Sequence, residues 1–335
     1  MLTRMRAVVI TRPGGPEVLE VQEVPDPPCG PEEVLVQVRA TALNRADLLQ
    51  RLGRYPAPPG VPEHVPGLEF AGEVESVGAR VRRLRPGERV MGIVGGGGCS
   101  ERVALHERLC IRVPPALSWE EAAAIPEAFL TAFDALHVRG KLACGEVLLC
   151  HAAGSGVGTA AVRLALAGGA RPVALSRTPA KREALERMGV AHVLDPETPG
   201  LADAIRVAAG GVGVDLVLDL LGGSTWAVNL QVLRKRGRVV VIGLMGGSTV
   251  ELDLATLMRK RLTLIGSVLR SRPLEERIEL VQEFSRRILP LFAAGTLSPV
   301  IDRVMPFDRV AEAHGLLERN ATFGKLVLSL DGGGR

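Results

Sequence analysis

The sequence is poor in the residues that most readily announce a function. Its 335 residues include one tyrosine, two tryptophans, five cysteines and six histidines. Cys29, Cys99, Cys110, Cys144 and Cys150 are scattered and odd in number; they read as reduced thiols of a cytoplasmic protein, not as a disulfide framework. His64, His106, His137, His151, His192 and His314 stand singly, so no tetrahedral ligand set is legible and no metal is expected. No apolar run reaches the ~18–20 residues of a membrane span. The opening M-L-T-R-M-R-A-V-V-I enters a strand-like pattern at once, with no leader or cleavage site expected. Net charge is only +4, and the basic clusters Arg80–Arg85, Arg234–Arg238 and Arg259–Arg261 are short. They suit solvated faces and helix ends, so no nucleic-acid partner is expected. Internal repeats and low-complexity linkers are absent too.

What is present is a chain that is 47% hydrophobic, with 39 glycines and 23 prolines, enough for two cores and many turns. Its most informative stretch is V-L-L-C-H-A-A-G-S-G-V-G at 147–158. An apolar strand breaks into a Gly/Ser turn, which runs into an Ala/Leu/Val segment with helical spacing. Strand, glycine turn and helix together offer free N–H groups and a positive helix end to a pyrophosphate. A literal G-x-G-x-x-G is absent: with Gly158 as the third glycine, Ala153 and Ser155 fill the first two places, and Gly154, Gly156 and Val157 stand between them. About 20 residues on, the next strand ends in Ser176-Arg177-Thr178, with Lys181 close behind. An NAD site carries Asp or Glu there for the ribose 2′-OH; a hydroxyl and cations suit a 2′-phosphate, which points to NADPH. The bland alternative is a solvated loop.

Residues 5–125 show short alternating runs at 5–10, 18–24, 33–40, 71–77, 89–93 and 100–105, the pattern of a β-rich, barrel-like region. Helices are expected from Asn44 to Gly53 and after Ser118, where S-x-x-E forms a capping box. From about 128 the pattern alternates. Strands are predicted at 146–151, 171–175, 191–194, 214–219, 238–242 and 262–268. Helices are predicted at 128–138, 156–168, 179–188, 199–209, 224–234 and 253–259. Six short apolar strands linked through helices describe an α/β fold with a doubly wound parallel sheet. A long helix at 274–294, strands at 299–305 and 325–330 and a helix at 308–319 return to the style of the first region; a frayed tail is expected at 331–335. The domain reading is a β-rich catalytic domain in two parts, 1–127 and 270–335, with a Rossmann domain, 128–269, inserted.

The motifs N-R-A-D-L-L-Q-R (44–51), G-L-E-F-A-G (67–72), A-A-I-P-E-A-F-L-T-A-F (123–133), S-G-V-G-T-A-A (155–161), G-L-M-G-G (243–247), L-R-S-R (269–272) and G-K-L-V-L (324–328) carry a resemblance over essentially the whole chain. The chain resembles the medium-chain dehydrogenase/reductase superfamily and, within it, the zinc-free quinone oxidoreductase branch. It looks nearest to the tumour-suppressor-inducible subgroup. The resemblance implies a GroES-like catalytic domain and a substrate cleft beside the nicotinamide. Zinc-dependent relatives have Cys near Asn44, Gly-His-Glu where this chain has Gly67-Leu68-Glu69, and four close cysteines where this chain has only Cys99 in its 95–107 loop. A tyrosine that relatives carry after the third Rossmann strand is replaced here by Leu194-Asp195-Pro196, so the adenine contacts differ.

Without a metal, the chemistry falls to NADPH, with the protein positioning and polarising a quinone or other small electrophilic acceptor. The resemblance places Tyr55 at the mouth of the cleft as a hydrogen-bond donor; the alternative is packing alone. It places Asn44 and Asp47, on one helix face, beside the nicotinamide and substrate, with capping as the alternative for Asn44. Thr131 is expected near the nicotinamide phosphate, Gly243, Leu244 and Met245 at a ligand-binding strand end, and Leu269 and Arg270 at the carboxamide. Asn320 and Lys325 are expected over the phosphates, or Lys325 simply on the surface. The last parallel strand is expected to pair with its mate in a homodimer. Reduction of the C=C bond of enals or enones, and a non-catalytic RNA-binding or structural role, are the competing readings.

Overall fold

The computed structural model describes residues 4–330; the frayed tail expected at 331–335 and the first three residues of the opening segment lie outside the described residues. The chain divides into two compact units. One runs to Leu130 and resumes at Leu269; the other is the continuous stretch Thr131–Val268.

The first unit is built on a seven-stranded sheet. Its path runs Ile301–Pro306, Lys325–Ser329, Glu33–Leu43, Glu69–Val77, Arg89–Ile93, Ile111–Arg112, and Arg102–His106 pairs separately with Glu33–Leu43. The organising strand is Glu33–Leu43. Val34, Val36 and Val38 are buried on the inner face while Leu35, Gln37 and Arg39 between them are more open, the period-2 burial of a half-covered antiparallel strand. Two pairings of this strand set up the site. Leu43 lies opposite Leu326, so the residue after it, Asn44, comes beside Lys325. Ala40 lies opposite Ala71, which brings Glu69, at the start of the neighbouring strand, to the same end. A separate hairpin pairs Arg4–Ile10 with Leu19–Pro25. Its residues Val8, Ile10, Val18 and Leu19 share a core with Leu43, Phe307, Leu326 and Leu328.

The second unit is a six-stranded sheet in the order His192–Leu194, Arg171–Leu175, Val147–Cys150, Val214–Asp219, Leu233–Val241, Thr263–Gly266. Every pairing is parallel. The strand order reverses between Val147–Cys150 and Val214–Asp219, the place where such sheets bind ligands. The α/β reading of the sequence is met: a parallel six-stranded sheet interrupts a β-rich unit.

Some elements differ from the sequence reading. The helix expected over 274–294 is two, Leu274–Arg287 and Leu289–Ala293, because Pro290 supplies no N–H for a continuous ladder and sits comfortably only in a first turn. The helix expected to end at 234 stops at Val232, and the next strand begins at Leu233. The helix Pro126–Phe133 widens into a π-helical turn over Asp134–Arg139. There Asp134 accepts from Arg139 Nε at 3.0 Å and from Ser267 Oγ at 2.7 Å.

Candidate active site

The second unit presents the dinucleotide turn. Val147–Cys150 is fully buried and leads into a turn in which Ala152 takes the left-handed conformation, φ 47°. The helix Gly156–Ala167 then starts with Ser155 as its cap; Ser155 Oγ accepts the Gly158 N–H at 3.1 Å. A Cβ on Gly158 would stand 2.5 Å from the Ala152 carbonyl oxygen and 2.7 Å from Ala153 Cα. Only glycine lets the helix start pack so closely on the turn, and this leaves the Gly156 and Val157 N–H groups at the positive end of a twelve-residue helix as an anion cradle. The fit to a pyrophosphate is therefore good. Gly243, just past Leu233–Val241, is also closely packed: a Cβ there would lie 2.6 Å from the Leu220 carbonyl oxygen. Leu244 and Met245 beside it are exposed.

The end of the second strand is tied by a residue that the sequence reading passed over. One Nη1 of Arg182 donates to the carbonyls of Ser176 (3.0 Å) and Arg177 (2.7 Å) and to Asp195 Oδ2 (2.8 Å). Asp195 is thus committed to an internal cation. Ser176 is buried, Arg177 exposed and Lys181 half-buried in the first turn of Pro179–Arg187. A second tie lies between the first and fourth strands. His151 Nε2 meets Asn229 Oδ1 at 2.7 Å, and Asn229 Nδ2 donates to Asp219 Oδ2 at 2.7 Å. Asp219 Oδ1 accepts the N–H groups of Leu221 and Gly222. Burial pulls the His151 pKa below its ordinary value, so the ring is neutral and its Nε2–H is the natural donor to Asn229.

The first unit presents a buried polar cluster. Lys325, 3% exposed, donates to Glu69 Oε1 and Asn44 Oδ1, each at 2.6 Å, and to the Leu43 carbonyl at 3.0 Å. Asn44 Nδ2 donates to Glu69 Oε1 at 2.9 Å, and the Glu127 N–H to Glu69 Oε2 at 2.7 Å. A fully buried charge pair is tolerable because every donor of the ammonium and both carboxylate oxygens are satisfied. Beside it, Arg270 donates to the Gly95 carbonyl (2.6 Å), Gln50 Oε1 (2.6 Å) and the Tyr55 carbonyl (3.3 Å). Its guanidinium lies 4.8 Å from the centre of the Tyr55 ring, a cation–π contact that fixes the ring's attitude. Burial raises the Tyr55 phenol above its ordinary pKa, with Arg270 opposing.

Several expected site residues are placed otherwise. Asp47 has both carboxylate oxygens committed to backbone N–H groups. It is fully buried, with Oδ2 accepting the Asn44 N–H (2.7 Å) and Oδ1 the Gly67 N–H (3.0 Å), so it caps the helix Arg45–Arg51 and clasps the 67 loop. Desolvation pushes its pKa to about 6. Lys325 does not reach phosphates, because its three donors are spent inside the cluster. Arg270 spends its donors on Gln50, Tyr55 and Gly95, and Leu269 and Arg270 lie beyond the strand Thr263–Gly266 rather than ending it. Asn320 sits exposed after the helix Val310–Glu318 with φ 55°, accepting from Arg45. Thr131 is half-buried on Pro126–Phe133. Asn44 and Tyr55 do join one neighbourhood, which the sequence reading built without Glu69, Glu127 and Gln50. Both glutamates stood in the motifs G-L-E-F and I-P-E-A-F. What the sequence did not reveal was the pairing of Glu69 with Lys325, 256 residues away.

A parallel nucleotide-type sheet and a β-rich unit carrying a polar cluster define a dinucleotide-dependent oxidoreductase. The comparisons agree. The alcohol dehydrogenase GroES-like domain family matches residues 30–131, and the zinc-binding dehydrogenase family matches residues 156–286. The human synaptic vesicle membrane protein VAT-1 homolog is 34% identical over 97% of this chain and 86% of its own length. Among solved structures, the Pseudomonas syringae pv. Tomato DC3000 quinone oxidoreductase superposes with a TM-score of 0.87 at 29% identity, covering 97% of this chain and 99% of that one. The CurK enoyl reductase gives 0.83 at 27% identity, covering 98% and 99%. The chain belongs to the medium-chain dehydrogenase/reductase superfamily, whose members use NAD(P). Zinc, which one family description implies, does not suit these residues. Among the described residues no group of three His, Cys, Asp or Glu could hold a metal, and the Lys325 ammonium already lies against Asn44 and Glu69. No helix among the described residues is long and apolar enough to cross a membrane.

Proposed function

We propose that the protein is a zinc-independent, NADPH-dependent reductase of quinones, of the tumour-suppressor-inducible type, acting as a cytoplasmic homodimer. The observation that carries this reading is the place of Lys325. An ammonium locked at 2.6 Å from both Asn44 and Glu69 leaves hydrogen-bond donors, rather than a Lewis acid, to polarise the acceptor. A quinone suits that arrangement, because incoming charge delocalises onto oxygen and needs only a donor. The dihydronicotinamide supplies the hydride when bound. NADPH is favoured by Arg177 and Lys181 at the end of the second strand and by the commitment of Asp195 to Arg182, which removes the carboxylate that a ribose 2′-OH would seek. All five cysteines are free thiols, in keeping with a reducing compartment. A small quinone or other electrophile is the only partner this reading needs besides a second copy of the chain.

The likeness to an enoyl reductase favours one second reading, reduction of the activated C=C bond of enals or enones. Steady-state turnover of a benzoquinone and of a 2-alkenal, each with NADPH and with NADH, separates the two. The expected result is turnover of the quinone with NADPH in preference to NADH. Preference for the alkenal transfers the conclusion to the second reading, and turnover of neither, with salt-sensitive retention on RNA, overturns both.

A further inference from the structure

Glu127 is the one acid of the polar cluster whose carboxyl is not tied down. It stands at the second position of the helix Pro126–Phe133, and its backbone N–H is held by Glu69. Its side chain is half-buried and takes no hydrogen bond from any described residue. The groups acting on it are the Glu69 and Asp47 carboxyls, the Lys325 ammonium and the Arg270 guanidinium, and the Tyr55 phenol in turn feels its charge. Each of these is spoken for. Glu69 has both oxygens filled, Asp47 has both oxygens on backbone N–H groups, and Lys325 and Arg270 have spent donors on fixed partners. Tyr55, raised above its ordinary value, keeps its proton and can only donate a hydrogen bond.

We propose that Glu127 is the proton donor of the reaction, a role that rests on the reductase reading above. As the acceptor takes the hydride at carbon, its carbonyl π electrons move onto oxygen. The Glu127 O–H bond breaks, its proton passes to that oxygen, and the carboxylate left behind takes a proton back from water. The product of a quinone is thereby a keto tautomer of the hydroquinone, which becomes the hydroquinone by losing the proton from the carbon that took the hydride and gaining one on the second oxygen; that of an enone is an enol that tautomerises in water. Burial, followed by the nearby Glu69 charge, pushes the Glu127 carboxyl up to about 8, so it carries its proton at neutral pH. A general acid works best with a pKa close to the operating pH.

The test compares wild-type protein with Glu127→Gln and Glu127→Asp. The first readout needs no turnover: pH-difference infrared spectra of the protein alone. A protonated-carboxyl band should be present at pH 7, fade between pH 7 and 9 and be missing in Glu127→Gln. The second is kcat/KM for a quinone at saturating NADPH. Wild-type should fall as pH rises through about 8; Glu127→Gln should be ~10²-fold slower and lack that limb, and Glu127→Asp should restore it. NADPH titration should give the same affinity in all three, showing that the variants are folded. Absence of the band, or a Glu127→Gln variant with wild-type kcat/KM and alkaline limb in an active enzyme, overturns the proposal alone. A wild-type protein that turns over no acceptor overturns the reductase reading and this proposal with it.

Discussion

At the scale of single residues, Tyr55 illustrates how a lone aromatic becomes part of a site. Its ring is braced by the Arg270 guanidinium and its carbonyl is held by the same side chain. Tyr55→Phe keeps the ring and the brace and removes only the phenolic donor. A preorganised donor in a dry site is worth ~10²–10³ in rate; at half-buried Tyr55, water replaces part of it. The expected loss in kcat/KM for a quinone is therefore ~10-fold, with NADPH affinity unchanged by direct titration; full turnover would reduce Tyr55 to a packing residue. Lys181 makes the complementary prediction. Lys181→Ala should weaken NADPH by about 1–3 kcal/mol, as loss of a charge-assisted hydrogen bond does, and leave NADH nearly unchanged. Equal losses for the two cofactors in isothermal titration would remove the 2′-phosphate from its role. Tyr55 stood out in the sequence because it is alone. Its brace did not, because Arg270 lies 215 residues away and nothing local marks an arginine as stacked.

At the scale of elements, the helices Arg45–Arg51 and Val310–Glu318 meet through a buried cation. Arg51 has no exposed surface; it donates to the Gly14 carbonyl and to Glu318 Oε1, each at 3.0 Å, and lies 3.5 Å from His314 Nδ1. Burial, aided by the Arg51 charge, lowers the His314 pKa to about 3. The depressed value means that the unfolded chain binds a proton that the folded one refuses. The His314 contribution is thus complete above about pH 6.5 and is lost as pH falls toward 3. One proton costs up to about 1.4 kcal/mol per pH unit, hence about 2 kcal/mol between pH 6.5 and 5. Urea unfolding at the two pH values should show that drop in wild-type protein and a smaller one in His314→Gln; identical slopes would contradict it. Elements like these were legible wherever the pattern is local. The capping box at Ser118 and Glu121 starts a helix as read, and the alternating strands fall within a few residues of their expected ends. The π turn at Asp134–Arg139 escaped, since nothing in its local pattern sets it apart from a continuing α-helix.

At the scale of the whole molecule, the edge strand Thr263–Gly266 is the outstanding feature. It is the terminal strand of the parallel sheet. Around it Leu254, Met258, Leu264 and Val268 are exposed by 61%, 75%, 39% and 54%. An uncovered apolar strand edge invites pairing, and the proposed partner is a second copy in an isologous dimer. Light scattering at micromolar concentration should give the mass of a dimer, and Leu264→Lys with Val268→Glu should shift it to monomer; a monomeric wild-type protein would refute the interface. The fold was legible in the sequence because periodicity reports burial face by face. The nucleotide turn was legible because strand, turn and helix are contiguous. The polar cluster was not, because Asn44, Glu69 and Lys325 meet through sheet register and Glu127 joins them from a helix through its backbone N–H.

That meeting also fixes an order of assembly. Lys325 is synthesised 256 residues after Glu69, about 13–50 s later at ~5–20 residues per second. In that interval the continuous stretch Thr131–Val268 is completed and is free to fold. The strand Glu33–Leu43 meanwhile has an open flank, and Glu69 has no counter-ion. The half of the molecule that begins first is therefore finished last. A nascent chain thus has its nucleotide-type turn before its buried polar cluster, and a chain arrested before Lys325 leaves the Glu69 carboxylate without that counter-ion.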